Sequence, residues 1–408
     1  MARKMKDSGI EWIGEIPEGW ETQKLKYYAT VTSGEILSKD EYDFSGDIPV
    51  IGSNGKIGTT YKSNNHSEVI TTGRVGTIGT AQIVQDAWIT DNALIIKSHS
   101  ISRPFLTYVI PNFDFKFMLS GTAQPLITAT KLKNQYIPVP SSEVQDKLVQ
   151  HLNTQIFNLS HLISQVCSSI ELYKKLKQAV ITQAVTKGVR GEREMKDSGV
   201  EWIGEIPKEW GRTKIKMIAS FFNGDRTSRY PQPTDFVDDG IAFLTSRNID
   251  GDEVDLSETK YITKSKYNSL SGAKIQIDDI IFCLRGSVGK CAINRTLSCG
   301  TVASSLATIR PKDIRPKYLL YFLLSNIAST QTTIFMNGTC AANLSAENVG
   351  NYYITLPSSA EQEEIADYLD AKCAEIDGLI AKKEQLVKEL ESYKKSLIYE
   401  VVTGKREV

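Results

Sequence analysis

The sequence contains the same opening segment twice. Residues 5–17 read MKDSGIEWIGEIP and residues 195–207 read MKDSGVEWIGEIP, so twelve of thirteen positions are identical at an offset of 190. Each copy is followed, three residues later, by a tryptophan, Trp20 or Trp210. We interpret these tryptophans as packing anchors rather than catalytic residues, because an indole ring buries a large apolar area. A chain built on such a repeat is expected to fold as two related units.

A second pair of matching segments closes each half. Residues 136–142, YIPVPSS, correspond to residues 353–359, YITLPSS, at an offset of 217. The larger offset places 27 additional residues in the second half, between its matched ends. Residues 141–187 and 358–404 then align without a gap. The 408 residues therefore suit two domains of ordinary size, each an insert between matching ends.

The closing segments carry apolar residues at spacings of three and four, which is the heptad pattern of a coiled coil. The predicted seam residues are Leu152, Ile156, Leu159, Ile163, Val166 and Ile170 in the first segment, and Leu369, Cys373, Ile376, Ile380, Val387 and Leu390 in the second. The pattern extends to Tyr173, Leu176 and Tyr393, with Lys383 as a single charged exception. Gly188 and Gly404 lie where each helix is expected to end.

A helix of about 45 residues is roughly 68 Å long, which is too long to pack wholly on one small domain. We therefore expect the two helices to pair with each other, antiparallel about a pseudo-two-fold axis. The alternative is that each helix covers only its own insert. The predicted segments are 1–140 and 191–357 for two mixed domains with their opening segments, and 141–190 and 358–408 for the long helices.

The inserts, residues 18–135 and 208–352, contain short apolar or β-branched runs bounded by Gly or Asn, which predict strands. These runs are 68–72, 80–84, 93–97, 274–284 and 302–310. Shorter helices are predicted near 104–110 and 316–326. The predicted fold class is α/β or α+β, with two mixed domains joined by two long helices.

Composition bears on several functional classes. The 48 Lys and Arg balance the 48 Asp and Glu, so nucleic-acid binding must use local clusters of charge. The six cysteines form no C-x-x-C pair and have no His at zinc-ligand spacing, so we predict reduced thiols and no metal. The apolar runs are far too short for a membrane span or a signal peptide, and we expect a cytoplasmic protein.

The sequence offers no catalytic signature. Gly286-Ser-Val-Gly-Lys-Cys291 approaches a phosphate-binding loop, but Leu284 and Cys291 stand where that motif needs Gly and Ser or Thr. Motifs for dinucleotide binding, zinc proteolysis, serine hydrolysis and amino-methyl transfer are absent. The four histidines, His66, His99, His151 and His161, do not cluster along the chain. We assign no catalytic residue.

Glycine-rich loops in both inserts carry polar side chains suited to nucleic acid. Gly76-Thr-Ile-Gly79 resembles Gly286-Ser-Val-Gly289; such a loop can present amides to a phosphate, and a turn without a ligand is an equal alternative. Arg pairs with guanine, Asn or Gln with adenine, and Lys or Arg neutralises phosphate. The candidates in the first insert are Ser53, Asn54, Lys56, Thr60, Tyr61, Thr72, Arg74, Thr122 and Gln124. Those in the second are Arg226, Thr227, Arg229, Tyr230, Arg247, Asn248, Arg285, Ser287, Lys290, Thr339 and Asn343.

The opening M-K-D-S-G-x-E-W-I-G-E-I-P-x-x-W and the closing L-P-x-x-x-E-Q-x-x-I-x-x-x-L, from Leu356 to Leu369, resemble the specificity subunit of type I restriction-modification systems. The resemblance covers the whole chain, although the first copy has Val144 and Leu148 where the closing motif has Glu and Ile. It implies that each insert is a target recognition domain reading one half of a bipartite site in double-stranded DNA. It also implies that the helices form an antiparallel coiled coil that docks two modification subunits.

The resemblance further implies a division of labour. This chain would bind no cofactor, while the modification subunits would use S-adenosylmethionine to methylate adenine, and restriction subunits that join them would use ATP and Mg²⁺. The leading hypothesis is a non-catalytic recognition subunit whose helices set the half-site spacing and whose unequal inserts make the target asymmetric. Two other classes stay open, a coiled-coil adaptor that binds proteins and reads no DNA, and an enzyme with a new active site.

Overall fold

The computed structural model describes residues 3–43, 45–118, 126–249, 251–336 and 343–408. The chain divides into two compact units. Unit 1 comprises residues 1–167 and 385–408, and unit 2 comprises residues 168–384. Each unit therefore contains one insert together with a part of both long helices.

The described elements of unit 1 begin with short strands and end in a long helix. The strands are β1 (Met5–Asp7), β2 (Glu15–Pro17), β3 (Glu21–Lys24), β4 (Ala29–Ser33), β5 (Ile48–Gly52), β6 (Gly55–Thr60), β7 (Val69–Gly73), β8 (Gln82–Val84), β9 (Trp88–Ile89), β10 (Ala93–Ser98) and β11 (Tyr136–Val139). The helices are α1 (Arg103–Val109), α2 (Ala129–Lys133) and α3 (Ser142–Lys187), and α3 continues into unit 2 from residue 168.

Unit 2 follows a similar order. Its strands are β12 (Met195–Asp197), β13 (Glu205–Pro207), β14 (Gly211–Lys214), β15 (Ala219–Asn223), β16 (Phe236–Val237), β17 (Ile241–Leu244), β18 (Lys260–Ile262), β19 (Ile280–Cys283), β20 (Cys291–Ile293), β21 (Gly300–Val302), β22 (Leu306–Pro311) and β23 (Tyr353–Leu356). Its helices are α4 (Lys264–Ser269), α5 (Pro316–Leu324), α6 (Asn326–Phe335), α7 (Ala346–Gly350) and α8 (Ser359–Val402), and α8 belongs to unit 1 from residue 385.

The main sheet has the same topology in both units. Its strand order is β4-β10-β7-β8 in unit 1 and β15-β22-β19-β20 in unit 2, and all neighbouring strands are antiparallel. Strands β7 and β19 are buried along their whole length, which explains why both appear in the sequence as continuous apolar or β-branched runs.

A second sheet differs between the units. It has the order β6-β5-β9 in unit 1 and β16-β18-β17-β21 in unit 2, with one parallel pair in each. A tight turn, residues 53–54, joins β5 to β6, whereas residues 245–259 join β17 to β18. A large share of the 27 additional residues therefore lies in this connection between strands, and none of them lengthens a long helix.

Each opening segment forms a two-stranded hairpin that packs on the end of a long helix within its own unit. In unit 1, Ile16 and Trp20 share a core with Val401 of α8. In unit 2, Trp210 shares a core with Val185 of α3. The tryptophans Trp20 and Trp210 are 3% and 1% exposed, so both are packing anchors.

Two corresponding glutamines fasten the start of each long helix. Gln145 Oε1 accepts a hydrogen bond from the backbone N–H of Ser102 at 2.8 Å, and Gln362 Oε1 accepts one from Arg315 at 2.9 Å. The Nε2 of each glutamine donates to the proline carbonyl five residues earlier, at 2.8 and 3.0 Å. Because both amides are buried and satisfied, they fix the beginnings of α1 and α5 against α3 and α8.

The shorter helices predicted before each long helix are confirmed as α1 and α5. The Ser102 side chain accepts from Phe105 N, which caps the first turn of α1. The strand predicted over residues 274–284 is wrong in its first half. Residues 276–279 form a turn in which the Asp279 carboxylate accepts from Gln276 N at 2.8 Å, so β19 begins only at Ile280.

The long helices run antiparallel in unit 2. Lys177 Nζ lies 2.6 Å from Asp377 Oδ2, and Arg190, just beyond α3, makes two 2.8 Å hydrogen bonds to Glu364. Thirteen residues forward along the chain from Lys177 thus correspond to thirteen residues backward from Asp377. In unit 1, Lys394 Nζ of α8 lies 2.9 Å from the Ser160 hydroxyl of α3.

The predicted seam positions lie on the inner faces of these helix segments. In unit 1, Leu152 and Val166 are buried, and Ile156, Leu159, Ile163, Val387 and Leu390 are half-buried. In unit 2, Ile170, Leu369, Cys373 and Ile376 are buried, and Ile380 is half-buried. The charged exception is accommodated because Lys383 Nζ lies 5.6 Å from the centre of the Tyr173 ring, a cation–π contact.

The heptad pattern is wrong at its far end, since Leu176 and Tyr393 are 48% and 46% exposed. A straight α-helix drifts by about 20° per heptad relative to a 3.5-residue repeat, so the apolar stripe leaves the interface after a few heptads.

Among the described residues, no helix is long and apolar enough to cross a membrane.

A buried ion pair in unit 2 stands where unit 1 has an apolar side chain. Glu361, 2% exposed, places Oε1 2.6 Å from Arg193 Nη1 and accepts a 2.9 Å hydrogen bond from Trp210 Nε1 at Oε2. The guanidinium also lies 5.2 Å from the centre of the Trp210 ring. In unit 1, Val144 occupies the equivalent position, and Arg3 lies over the corresponding indole. The ion pair therefore adds a polar link between opening segment and long helix.

Replacing Glu361 by Val is expected to lower the free energy of unfolding of unit 2 by roughly 3 kcal/mol, because Arg193 then loses its buried partner. Urea unfolding of the full chain, followed by circular dichroism, measures the loss. The matched control is Glu209→Val, because Glu209 pairs with the same Nη1 at 2.8 Å but its side chain is 55% exposed. The control should cost less than about 1 kcal/mol, and equal losses would contradict the role given to burial.

Candidate nucleic-acid interface

The two Gly-x-x-Gly loops occupy equivalent places. Gly76–Gly79 connects β7 to β8, and Gly286–Gly289 connects β19 to β20. All four glycines have a positive φ, between 74° and 90°, which other residues rarely adopt. The two loops therefore resemble each other in sequence because both adopt a backbone conformation that requires glycine at the same two positions.

Each loop is tied to the segment that precedes a short helix. Val75 forms an antiparallel bridge with Leu126 in unit 1, and Arg285 forms one with Asn343 in unit 2. A backbone hydrogen bond of 3.0 Å lies beside each bridge, from Ile127 N to the carbonyl of residue 74 and from residue 344 N to the carbonyl of residue 284. In unit 2 the predicted contacts Arg285 and Asn343 are thus neighbours in the fold, and in unit 1 the same place is occupied by Val75 and Leu126.

In unit 1 the turn at residues 53–56 joins this group. The Thr80 hydroxyl donates to the Ser53 carbonyl at 3.1 Å, which holds the turn beside the glycine loop. Asn54 and Lys56 are exposed there. Arg74 is half-buried and donates through Nη1 to the Asp91 carbonyl at 3.1 Å, so it fastens the loop more than it presents charge.

Tyr61, also in unit 1, is 63% exposed and its hydroxyl lies 2.9 Å from the Ser45 hydroxyl. The nearby Lys62 is committed to an ion pair with Glu41. Hydrogen bonding from Lys62, with those from Ser38, lowers the pKa of Glu41 to about 2. The exposed candidates of unit 1 are therefore mostly uncharged.

In unit 2 a buried carboxylate shapes the loop of residues 225–230. Asp225, 4% exposed, accepts hydrogen bonds from the backbone and hydroxyl of Thr227 at 2.7 and 2.6 Å and from Ser271 at 2.8 and 3.1 Å. Burial alone raises the pKa of Asp225, but these hydrogen bonds outweigh it and hold the pKa below its usual range. The ionised carboxylate is thus enclosed while Arg226 and Arg229 face solvent.

This arginine loop lies near the glycine loop of unit 2. Gly224 N donates to the Leu306 carbonyl at 3.2 Å, and Leu284 N donates to the Ser305 carbonyl at 2.9 Å, so both loops flank the same short segment. Tyr230 packs edge-on against Phe243 at 5.9 Å and anchors the far end of the arginine loop. Ser287, Lys290 and Asn343 are exposed on the other side.

Ion pairing distinguishes two sets of arginines in unit 2, apart from Arg212, whose Nη1 donates to the Gly199 carbonyl at 2.8 Å. Arg190, Arg193, Arg295, Arg310 and Arg315 each pair with a carboxylate. Within the part of the chain that the structure describes, Arg226, Arg229, Arg247 and Arg285 make no ion pair, and all four are exposed. A cation without an acidic partner is available to neutralise phosphate, and these four are all predicted contact residues.

Three predicted contacts need correction. Thr60, Thr72 and Asn248 are 1%, 3% and 1% exposed, so a duplex cannot reach them. The Thr60 hydroxyl donates to the Glu41 carbonyl at 2.8 Å, and Asn248 Nδ2 donates to the Asp255 carbonyl at 2.9 Å, so both side chains hold turns together. The predicted contacts Thr122, Gln124 and Thr339 lie outside the described residues.

Two further side chains of unit 1 belong to this surface and were not predicted. Ile57, next to Lys56 on β6, is 53% exposed, and the Gln82 amide lies against Gly55. Ile57 was overlooked because an apolar residue in a strand indicates a core position. It is exposed because the pairing of β5 with β6 shifts register there: Val50 pairs with Gly58 and Ile51 with Lys56, which leaves Ile57 without a partner.

Two kinds of chemical group bear on a catalytic role, metal ligands and buried thiols. The described residues contain no group of three His, Cys, Asp or Glu side chains that could hold a metal. Burial raises the pKa of the Cys283 thiol and of the Cys373 thiol to about 11, so neither is an activated nucleophile at neutral pH. The arrangement is instead a pair of polar loop surfaces, one largely uncharged and one basic.

A family model described as "Type I restriction modification DNA specificity domain" matches residues 17–172 and again residues 207–389. The type I restriction enzyme EcoBI specificity subunit of Escherichia coli is 21% identical over 407 residues, covering 93% of this chain and 84% of the relative. The putative type I restriction enzyme MjaX specificity subunit of Methanocaldococcus jannaschii is 26% identical over 431 residues, covering 96% and 95%. These matches confirm the resemblance drawn from the repeated segments.

A chain in a solved structure concerning "complex assembly and conformational transition of the type I R-M system" has the same fold. It superposes with a TM-score of 0.71 at 15% sequence identity, over 96% of this chain and 99% of that one. The predicted fold class, two mixed domains joined by two long helices, is thereby confirmed.

Alanine at Arg226 and at Arg247 is expected to weaken duplex binding by roughly tenfold each near 0.1 M salt, because each change removes one unpaired phosphate-neutralising charge. The slope of log affinity against log salt should fall by about one for each residue. Fluorescence anisotropy of the full chain with a labelled duplex, across a salt series, measures both quantities. The control is Arg190→Ala, since Arg190 is exposed but paired with Glu364, and an equal change in slope there would contradict the assignment.

Proposed function

Because the chain belongs to the family of type I restriction-modification DNA specificity subunits, we propose that it reads DNA sequence for an assembly whose catalytic residues lie on other subunits. Each unit reads one half of an asymmetric, bipartite site in double-stranded DNA. The long helices set the length of the unread spacer between the halves. The chain itself binds no cofactor.

One observation carries the proposal: equivalent loops on a duplicated scaffold display different side chains. The glycine loops share their backbone conformation and their bridges, yet unit 1 has Val75 and Leu126 where unit 2 has Arg285 and Asn343. An equal scaffold supports an equal way of docking on a duplex, and unequal side chains read unequal bases. Arg226, Arg229, Arg247 and Arg285, which are exposed and make no ion pair among the described residues, favour this interpretation over a protein adaptor that does not contact DNA.

The assembly comprises two modification subunits, which bind S-adenosylmethionine and methylate adenine, and restriction subunits that join with ATP and Mg²⁺. The long helices supply the docking surface, because they expose large apolar side chains that are costly to leave in water. In unit 1 these are Phe157, Leu162, Leu386 and Tyr393, exposed by 72%, 42%, 40% and 46%. In unit 2 they are Leu172, Leu176 and Tyr368, exposed by 65%, 48% and 39%.

Replacing residues 18–135 with the insert of another family member is expected to change one half of the recognised sequence and leave the other half and the spacer unchanged. The physical reason is that the exchange spares both long helices and all of unit 2. Single-molecule sequencing of methylated adenines, in cells with the chimeric chain and with the original one, reads both halves directly. A change in both halves would sink the model of independent units, and methylation without any motif would sink the proposed function.

Phe157→Lys in unit 1, or Leu172→Lys in unit 2, is expected to weaken the docking of one modification subunit by roughly thirtyfold or more. Each change removes about 2 kcal/mol of apolar burial and adds a charge that must be desolvated. Sedimentation analysis of the assembly should show one modification subunit per chain for each variant and two for the original. Phe157→Leu, which keeps the apolar contact, is the matched control. Full assembly by both lysine variants would contradict this docking surface.

A further inference from the structure

Arg285 differs from the other three predicted contact arginines of unit 2, Arg226, Arg229 and Arg247, because its side chain is held in place. Its Nε donates to Asn343 Oδ1 at 3.1 Å, and the backbones of the two residues form an antiparallel bridge. The adjacent hydrogen bond from Leu344 N to the Leu284 carbonyl, at 3.0 Å, fixes the bridge further. Main chain and side chain therefore both fix the direction of this guanidinium, although both residues are exposed.

The chemistry of the guanidinium gives this arrangement a use. The group has five N–H donors in a planar fork, and the bond to Asn343 occupies only the Nε donor. Both terminal nitrogens remain available, and no carboxylate among the described residues pairs with them. Two parallel donors match the O6 and N7 acceptors of guanine in the major groove.

The other three arginines lack this degree of support. In the described structure, the guanidinium groups of Arg226 and Arg247 make no hydrogen bond. Arg229 Nε lies 3.4 Å from the Thr227 hydroxyl, which is a longer contact to a freely rotating partner. A flexible cation suits phosphate, which accepts charge from many directions, whereas a base edge requires an oriented fork.

The duplicated scaffold supplies an internal comparison. The bridge between Arg285 and Asn343 corresponds to the bridge between Val75 and Leu126, which are half-buried and apolar. Since the bridge persists without the polar pair, the hydrogen bond from Arg285 to Asn343 is not required to close the loop. The polar pair is therefore an addition to the scaffold at this one place in unit 2.

We propose that Arg285 reads a guanine in the half-site bound by unit 2, and that Asn343 is a positioning residue that orients its guanidinium. This inference rests on the proposed function, and it specifies one base that is read and the two residues that read it. Arg226, Arg229 and Arg247 then contribute affinity without base preference. Unit 1, with an apolar pair at this position, does not read guanine there.

The test uses the full chain assembled with modification subunits and the duplex motif found from its methylated adenines. Each guanine of the unit 2 half-site is replaced in turn by 7-deazaguanine, which lacks the N7 acceptor, and affinity is measured by fluorescence anisotropy. One replacement should weaken the original assembly by roughly tenfold to a hundredfold. Arg285→Ala should lose a similar factor on the natural duplex and become insensitive to that replacement.

Asn343→Ala separates positioning from a structural or phosphate-binding role. It should reduce discrimination at the same guanine while leaving the salt dependence of binding unchanged, because no charge is removed. Arg247→Ala is the control, and should weaken all duplexes alike and lower the salt slope. Introducing Val75→Arg together with Leu126→Asn in unit 1 should create a guanine preference in the other half-site.

The outcomes separate this inference from the function on which it rests. If the original assembly shows no preference for any duplex, the proposed function fails. If it binds its motif but Arg285→Ala keeps the same base preference, or the unit 2 half-site contains no guanine, only the assignment of Arg285 is overturned.

Discussion

The structure depends on the burial of an apolar stripe along two helices of 46 and 44 residues. An isolated helix of this length with such a stripe would expose it to water, so its stability must come from tertiary packing. In both units the solution is the same, since a segment of the other long helix covers part of the stripe and the insert covers part of it. Even the one charged position follows this rule, because Lys383 lies on the face of the Tyr173 ring.

The scaffold could be predicted from the sequence because two local patterns indicate it: the periodicity of apolar side chains and the identity between the two halves. The long helices, the short helices α1 and α5 and the equivalent glycine loops all follow from such local patterns. The roles of Gln145 and Gln362 did not follow, although their correspondence was visible, because a hydrogen bond to a residue more than forty positions away leaves no periodic trace. The second sheet was equally hidden, since its strands are short and the two inserts differ most there.

The predicted contact residues illustrate a related difficulty. Thr60 and Asn248 are polar, as contact residues are, and they were predicted in suitable loops. Their side chains nevertheless donate hydrogen bonds to backbone carbonyls inside the fold. Composition cannot distinguish a polar side chain that supports a turn from one that faces solvent. Ion pairing has the same effect on arginine, because Arg310 and Arg285 look alike in the sequence, while only Arg310 is neutralised by a carboxylate. The candidate surface therefore consists of the polar side chains that remain once those bonded or ion-paired within the fold are excluded.

Unit 2 consists of one uninterrupted stretch, residues 168–384, whereas unit 1 also needs residues 385–408. In particular, Leu397, Val401 and Val402 complete the core around Ile16 and Trp20. A ribosome delivers the chain from its amino end, so the first insert emerges early but keeps part of its core open until these residues appear. The second insert has its complete set of residues before then. The half that is translated first is therefore the last to have its full set of core residues.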